Sequence, residues 1–463
     1  MAATEALMAE EGMSGQAVFV KNGEKVSFEL ESKTYCRKLY LQYLYTFLTF
    51  KSIYNYMYIV MDLPVSTVSL NHSWFRDGES AVFITAKSDT AAFNNPNFYD
   101  FNGDNSTKYL GYPTAANPVL NWQNDKVRIT VFDAVKKFLL LGIDGFHIDH
   151  ISRLAVDLEG VPDHDKAISI LKELTSTIKK FIASHEVLQN KKIVLFSSLR
   201  DIEDLHVKAK ETGDLHYIID NSFASLSNEK CYNGISKCVH EALTNAYLRY
   251  QENSYTPYWQ FSNPDSSRLA SRFDADTANL LTFMQLTLPG ALSLYYGQEL
   301  GLSDVGNPST QRGIMQWNPS GSDHHGFLSK SDENLGKLFF AESDDIKEED
   351  NFENQFALEK SPLKVYQKLA KMRQRDESLI VGSTVRDAVD GDVIIYSRFV
   401  KGKNATSVGS VFIVALNYGT NEVKVDFSEH NTSEILPVNK KLSNAEIAAV
   451  TPGVHEYRIL LKL

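Results

Sequence analysis

Apolar and polar positions follow two different rhythms along this chain. From residue 53 onward, short apolar runs without helical period alternate with longer amphipathic segments. "IYNYMYIVMDL", "IDGFHID", "KKIVLFSS", "LHYIIDNSF", "YWQFSN" and "GALSLYYG" read as buried strands. Between them, "VRITVFDAVKKFLLLG", "DHDKAISILKELTSTIKKFIASH", "ISKCVHEALTNAYLRYQ", "ADTANLLTFMQLTL" and finally "SPLKVYQKLAKMRQRDESL" read as helices, the first stopped by Gly142. Strand–helix alternation at this length predicts a parallel sheet with helical crossovers, and five or six such units favour a barrel over an open sheet. Residues 64–124, rich in Asn, Asp, Gly and Pro, read as loop. From about residue 380 the rhythm changes to short strands between turn residues, "VIIYSRFV", "SVFIVALNYG", "EVKVDF" and "EYRILLKL", which predict a small antiparallel β-domain. The organisation expected is a polar, acidic and poorly ordered tail with an unassigned segment over 1–52, a barrel over 53–378 and a β-domain over 379–463.

Composition narrows the function classes. With 463 residues, 43% hydrophobic and 23% charged, the chain is an ordinary globular one with two or three domains. A formal net charge of -11 argues against nucleic acid or an anionic membrane surface as main partner. No glycine-rich phosphate fingerprint follows a strand, and no metal or cofactor is expected. The three cysteines, Cys36, Cys231 and Cys238, are too few for a disulfide framework; Cys231 and Cys238 either pair or stand as buried thiols. The N-terminus lacks the apolar core of a signal peptide, and the aromatic segment 39–63 is broken by Lys51 and Ser52, so buried strand and helix is preferred to a membrane span. Glycosylation sequons at Asn71, Asn105, Asn404 and Asn431 point instead toward the secretory route.

In a barrel of parallel strands, chemistry gathers at the C-terminal strand ends. Four such ends carry polar groups: Asp62, Asp149, Ser197–Ser198 and Asn263–Asp265. Here the sequence resembles the α-amylase family of glycoside hydrolases. "GIDGFHIDHISRL" is similar to that family's Gly-x-Asp-Gly-Phe-Arg-x-Asp strand. "VLNWQNDKVR" resembles the Leu-Asn-Trp segment, and "NPDSSRLASRF" the Asn-His-Asp-x-x-Arg strand end. "TLPGALSLYYGQELGL" and "IMQW" with "HHGF" complete the series in family order, over about 55–463.

The resemblance implies glycoside chemistry through two carboxylates about 5–5.5 Å apart. It makes Asp149 the counterpart of the nucleophile and Asp265 that of a sugar-binding aspartate. The other positions differ. His147 stands for the Arg that keeps the nucleophile ionised. Ser197 and Ser198 stand where the general acid should end its strand. Thr67, preceded by Ser66, stands for the sugar-binding His of the first motif, and Pro264 for the His of the last. Asn71–His72 falls too late to be the first motif. Asp201 and Glu203, the nearest carboxylates to the missing acid, lie too far along at roughly 3.3 Å per residue without a rebuilt loop. An inactive pseudoenzyme is therefore expected, with a divergent α-glucosidase or amylase drawing its acid from Asp201 or Glu203 as the alternative.

A barrel of this family with a degraded site resembles the heavy subunits of heteromeric amino-acid transporters. That resemblance implies a plasma-membrane glycoprotein with an extracellular domain, an amino-acid transporter light subunit as partner, an intersubunit disulfide for which Cys36 is the candidate, and at most weak carbohydrate binding. Set against such proteins, the sequence reads as an α/β chain: a (β/α)8 barrel of TIM type lacking the membrane helix and the first two strands, followed by a small antiparallel β-sandwich. The barrel is then expected either to be incomplete with an exposed gap, or to have residues 33–54 patching that gap as helix or an improvised strand.

Overall fold

A computed structural model describes residues 19–21, 24–26, 58–101, 103, 106–157, 159–199, 209–210, 212–253, 256–306, 309–320, 325–326, 350–401, 408–421, 423–425 and 448–450. The expectations for residues 33–54, Cys36, Asn105, Asn404, Asn431, Asp201, Glu203 and the strand "EYRILLKL" lie outside these. The chain divides into two compact units, Met1–Ile219 and Asp220–Leu463.

In the first unit, β1 (Phe19–Lys21) and β2 (Glu24–Val26) pair antiparallel within the stretch read as a disordered tail. Asn22-Gly23 separates them in sequence, a strong short-range hairpin signal that a reading by composition passes over. The central sheet is parallel, in the order β3 (Val60–Pro64), β7 (Gly145–Asp149), β8 (Val194–Ser198) and β9 (Tyr217–Ile219). Between β3 and β7 the segment read as loop contains β4 (Thr85–Lys87), β5 (Phe98–Asp100) and β6 (Thr107–Leu110), an antiparallel sheet with β6 in the middle. Strands of three or four residues are too short for alternation to outweigh the turn residues around them.

Two helices cover the central sheet. In α1 (Asp125–Leu140) the Asn124 side chain accepts from the Lys126 N–H, and Val127, Val131, Val135, Phe138 and Leu139 form one buried stripe. In α2 (His164–Ser184) the Asp163 side chain accepts from the Lys166 N–H. Its Ala167, Leu171, Leu174 and Ile178 pack with Met61, Leu63, Phe146, Ile148 and Leu195 of the strands into one core.

In the second unit, β10 (Tyr258–Gln260) and β11 (Ala291–Ser293) pair in parallel, and Asp220 bridges in parallel to Trp259. Helix α3 (Ile235–Asn253) packs Val239, Leu243, Tyr247 and Tyr250 around fully buried Trp259. Helix α4 (Ala275–Thr287) is buried on every side, as a core helix is. Helix α5 (Pro362–Arg375) starts on a Ser361 cap with proline in its first turn. It stops at Asp376, whose extended backbone and side chain cap a separate turn, Glu377–Ile380, so the single helix expected to 379 is broken. Cys231 and Cys238 form a disulfide, which decides between the two states left open.

The antiparallel region comprises β12 (Ser383–Asp390), which the strand pattern missed, β13 (Val393–Lys401) and β14 (Val408–Asn417), with β15 (Val423–Val425) paired to β16 (Ala448–Val450). The described strands thus include six parallel ones, four in one sheet and two in another, and no closed ring of strands among the described residues.

Candidate active site

The register of the central sheet sets out the first unit's polar groups. Asp62 of β3 pairs with His147 of β7, and His147 pairs with Phe196 of β8. Residues paired across parallel strands share a face, and so do residues two apart on one strand. Asp62, His147, Asp149, Phe196 and Ser198 therefore belong to one face. On it, His147 Nδ1 lies 2.8 Å from Asp62 Oδ1 and Nε2 lies 3.1 Å from Ser198 Oγ. The imidazole stacks on the Phe196 ring at 5.3 Å.

Burial works against the charge on Asp62, and of the causes that nevertheless lower the carboxyl to about 2, the hydrogen bond to His147 and its charge when protonated are the largest. A carboxyl depressed from 3.8 adds stability that is complete above the unfolded value and lost as pH falls toward 2. Denaturant titrations between pH 5 and pH 2 should accordingly show a shallower acid loss in Asp62→Asn than in the parent chain. Equal slopes would remove this electrostatic role.

Asp149 ends β7 with its carboxylate turned to the next residue. The His150 N–H donates to Oδ1 at 3.0 Å, and the His150 ring lies 3.5 Å from Oδ2. His150 is in the left-handed region (φ 51), and its carbonyl accepts from Ser66 Oγ at 2.7 Å. Thr67 bridges to Val119, and both it and Ser66 are buried. Ser197 points to the opposite face from Ser198, fully buried, with no hydrogen-bond partner for its hydroxyl. Asn71 is exposed, and His72 caps the short helix Ser73–Arg76.

In the second unit, the Asp265 N–H donates to Asn263 Oδ1 at 2.9 Å, and Arg312 Nη2 lies 3.1 Å from Asp265 Oδ1. Pro264 offers only its carbonyl, which accepts from Arg312 Nε at 3.1 Å. Arg268, at the Arg of the Asn-His-Asp-x-x-Arg stretch, is buried; it donates to the Tyr296 carbonyl at 2.6 Å and stacks on Tyr295 and Tyr296. Reading the sequence missed the pair of buried Asp220 with partly exposed Arg249 at 2.6 Å, and missed the Asp62–His147–Ser198 chain altogether. The second had a usable signal: polar residues on successive parallel strands at positions that share a face. Among the described residues, no group of three or more His, Cys, Asp or Glu is placed to hold a metal ion.

Much of what the motifs retain has a packing role. Trp122 of "LNW" is 1% exposed and donates from its indole to the Val65 carbonyl at 2.6 Å. Gly145 leaves no room for a Cβ, which would lie 2.5 Å from the Val194 oxygen. Gly290 has φ +88, and a Cβ there would meet the Pro257 oxygen at 2.2 Å. Gln298 donates to Gln285 at 2.9 Å and to Thr282 at 3.2 Å in the core.

Comparison with known proteins agrees with this geometry at the level of fold. The amino acid transporter heavy chain SLC3A1 of Rattus norvegicus is 23% identical over 347 residues, 67% of this chain and 48% of that protein. Its Homo sapiens counterpart is 22% identical over 358 residues, covering 70% and 49%. Maltase A1 of Drosophila melanogaster is 24% identical over 362 residues, covering 67% and 60%. The chain thus spans about half the length of the curated relatives it matches. Among solved structures, isomaltulose synthase from Klebsiella sp. LX3 superposes with TM-score 0.69 at 14% identity, covering 89% of this chain and 84% of that one. A family GH13_31 enzyme superposes at 0.65 with 18% identity, covering 86% and 82%. These likenesses carry the TIM-barrel fold of the glycoside hydrolases. The family described as "Alpha amylase, catalytic domain" matches residues 48–382, most of the chain, and to that family this protein belongs.

Proposed function

We propose that this chain is a member of the α-amylase family without glycosidase activity, and that it serves as a heavy subunit for an amino-acid transporter light subunit at the plasma membrane. The observation that carries the reading is the end of β8. Where the chemistry needs a carboxylic acid to protonate the leaving group, Ser198 presents a hydroxyl engaged with His147. Proton donation is worth roughly 10²–10⁴-fold in such reactions, and a serine hydroxyl is too weak an acid to protonate a leaving group near neutral pH. The motif residues with packing roles, Trp122, Gly145, Gly290 and Arg268, are kept, as expected of a barrel retained for its shape. The similarity to the rat and human transporter heavy chains supports the same direction. So do the exposed Asn71 sequon and the Cys231–Cys238 disulfide, both suited to the secretory route. A barrel followed along the chain by a small terminal β-sandwich belongs to this proposal. Among the described residues no helix is long and apolar enough to cross a membrane.

Purified chain given p-nitrophenyl α-glucoside should release nitrophenol no faster than buffer. Co-expression with a light subunit should raise the surface level of both. A glucoside rate that Asp149→Asn abolishes would overturn the proposal. It would favour instead a divergent α-glucosidase, the reading supported by the comparable identity to Maltase A1 and by the retained Asp149 and Asp265.

A further inference from the structure

We propose that Ser198, His147 and Asp62 form a serine–histidine–aspartate relay in which Ser198 is an acyl-accepting nucleophile, giving this barrel an esterase-type chemistry toward small neutral esters. The inference goes beyond the reading above, which concerns glycosides and partner binding.

Three neighbouring parallel strands build the arrangement. Asp62 on β3 and His147 on β7 are register partners, and Ser198 lies two residues past His147's partner on β8. The contacts run in the order that activates a hydroxyl: Ser198 Oγ to His147 Nε2 at 3.1 Å, then His147 Nδ1 to Asp62 Oδ1 at 2.8 Å. An ionised Asp62 can only accept, so the neutral imidazole carries its proton on Nδ1 and turns the Nε2 lone pair to the serine hydroxyl. The Phe196 ring stacked on the imidazole restricts its rotation. The same hydroxyl–imidazole–carboxylate order recurs on unrelated folds and is recognised by geometry rather than by sequence position.

Solvent reaches this face through His147 and Asp62, while Ser198 is buried beneath them. The His147 and Asp62 side chains are 17% and 37% exposed, and Ser198 itself is 5% exposed. Asp149, two residues beyond His147 on the same face, disfavours an anionic substrate, and Phe196 offers apolar contact. Together these select a small, uncharged acyl group.

The steps balance. Ser198 Oγ bonds to the ester carbonyl carbon while its proton passes to His147 Nε2. The carbon–alkoxy bond breaks, and the alcohol leaves with that proton. Water then attacks the acyl-serine, again giving a proton to His147, and acid is released as the proton returns to Ser198.

A neutral alkyl fluorophosphonate tests this on the unmodified full chain, because phosphonylation follows the same attack with fluoride as the leaving group. Peptide mass spectrometry should find the adduct on Ser198. Ser198→Ala should lose it, and His147→Gln should label about 10²-fold more slowly or worse. A purely structural hydrogen-bond chain would change stability in these variants without producing the adduct. Folded parent chain left unlabelled at Ser198 at millimolar probe, labelling at other serines only, or equal rates in parent and His147→Gln would each overturn the proposal. None of these outcomes depends on the glucoside assay or on a light subunit.

Discussion

Arg373→Met should lower the urea midpoint of the second unit by the equivalent of about 3–5 kcal/mol, the scale set by leaving several buried carbonyls without a donor. The Arg373 guanidinium is buried at the end of α5 and donates to four backbone carbonyls. Nη1 reaches Leu286 at 3.0 Å, Leu288 at 2.6 Å and Leu379 at 2.8 Å, and Nη2 reaches Gly290. Leu286 and Leu288 lie at the C-terminal end of α4, where carbonyls have no partner in the next turn and the helix dipole favours a cation. Burial pushes the Arg373 pKa down to about 10, the nearby Arg398 adding to this and Tyr396 opposing it, so the group stays charged at neutral pH. Methionine fills similar space but leaves the carbonyls dry and unsatisfied, at about 1–3 kcal/mol for each such group. Lysine keeps the charge but concentrates its donors at one point, so Arg373→Lys should recover only part of the loss. Fluorescence of Trp259, buried in the same unit, reports the transition. A midpoint and slope equal to the parent's would refute the role given to Arg373.

The second large effect is expected at Gly145. Gly145 faces Val194 across the β7–β8 ladder, and an added Cβ would stand 2.5 Å from that residue's carbonyl oxygen. The obstacle is backbone, so no side chain can rotate away. The strands must separate or shear. Overpacking typically costs about 1–3 kcal/mol, and a clash against a neighbouring strand belongs at the upper end, so Gly145→Ala should destabilise the first unit by about 3 kcal/mol. Shearing β8 past β7 also moves Ser198 relative to His147. Phosphonylation of Ser198 should therefore fall even under conditions where the variant remains folded. Parent-like stability and labelling in Gly145→Ala would contradict the tight strand approach.

Much of the fold was legible because parallel strands buried on both faces read as continuous apolar runs, and the helices between them carry capped, striped patterns. The strand around Phe146 and helices α1 and α2 were read within a few residues of their bounds. The antiparallel sheet over residues 85–110 was not, because its strands are so short that Asn, Asp and Gly dominate any window. Nor was the break at Asp376, where one residue's side chain caps a new turn inside an otherwise helical pattern. At the site, strand position was readable for Asp149 and Ser198, while contact was not. The Asp62–His147 pair joins residues 85 apart in sequence, and only sheet register shows that they meet. Gly145 and Gly290 were visible as motif letters, but their reason, a neighbouring carbonyl in the space of a side chain, exists only in three dimensions.

The disulfide between Cys231 and Cys238 closes a small ring, with a sequence separation of 7, across the start of α3. On the loop-closure account such a ring removes conformational freedom from the denatured chain worth about 2.5 kcal/mol, against nearly 5 for a ring of a hundred residues. Its effect lies on the unfolded side of the equilibrium, where it shortens the list of states the segment before α3 can visit. In an oxidising compartment that restriction is present; where thiols are kept reduced it is absent. One sequence with one fold thus has two stabilities, and which of them applies is set by the redox chemistry met during folding.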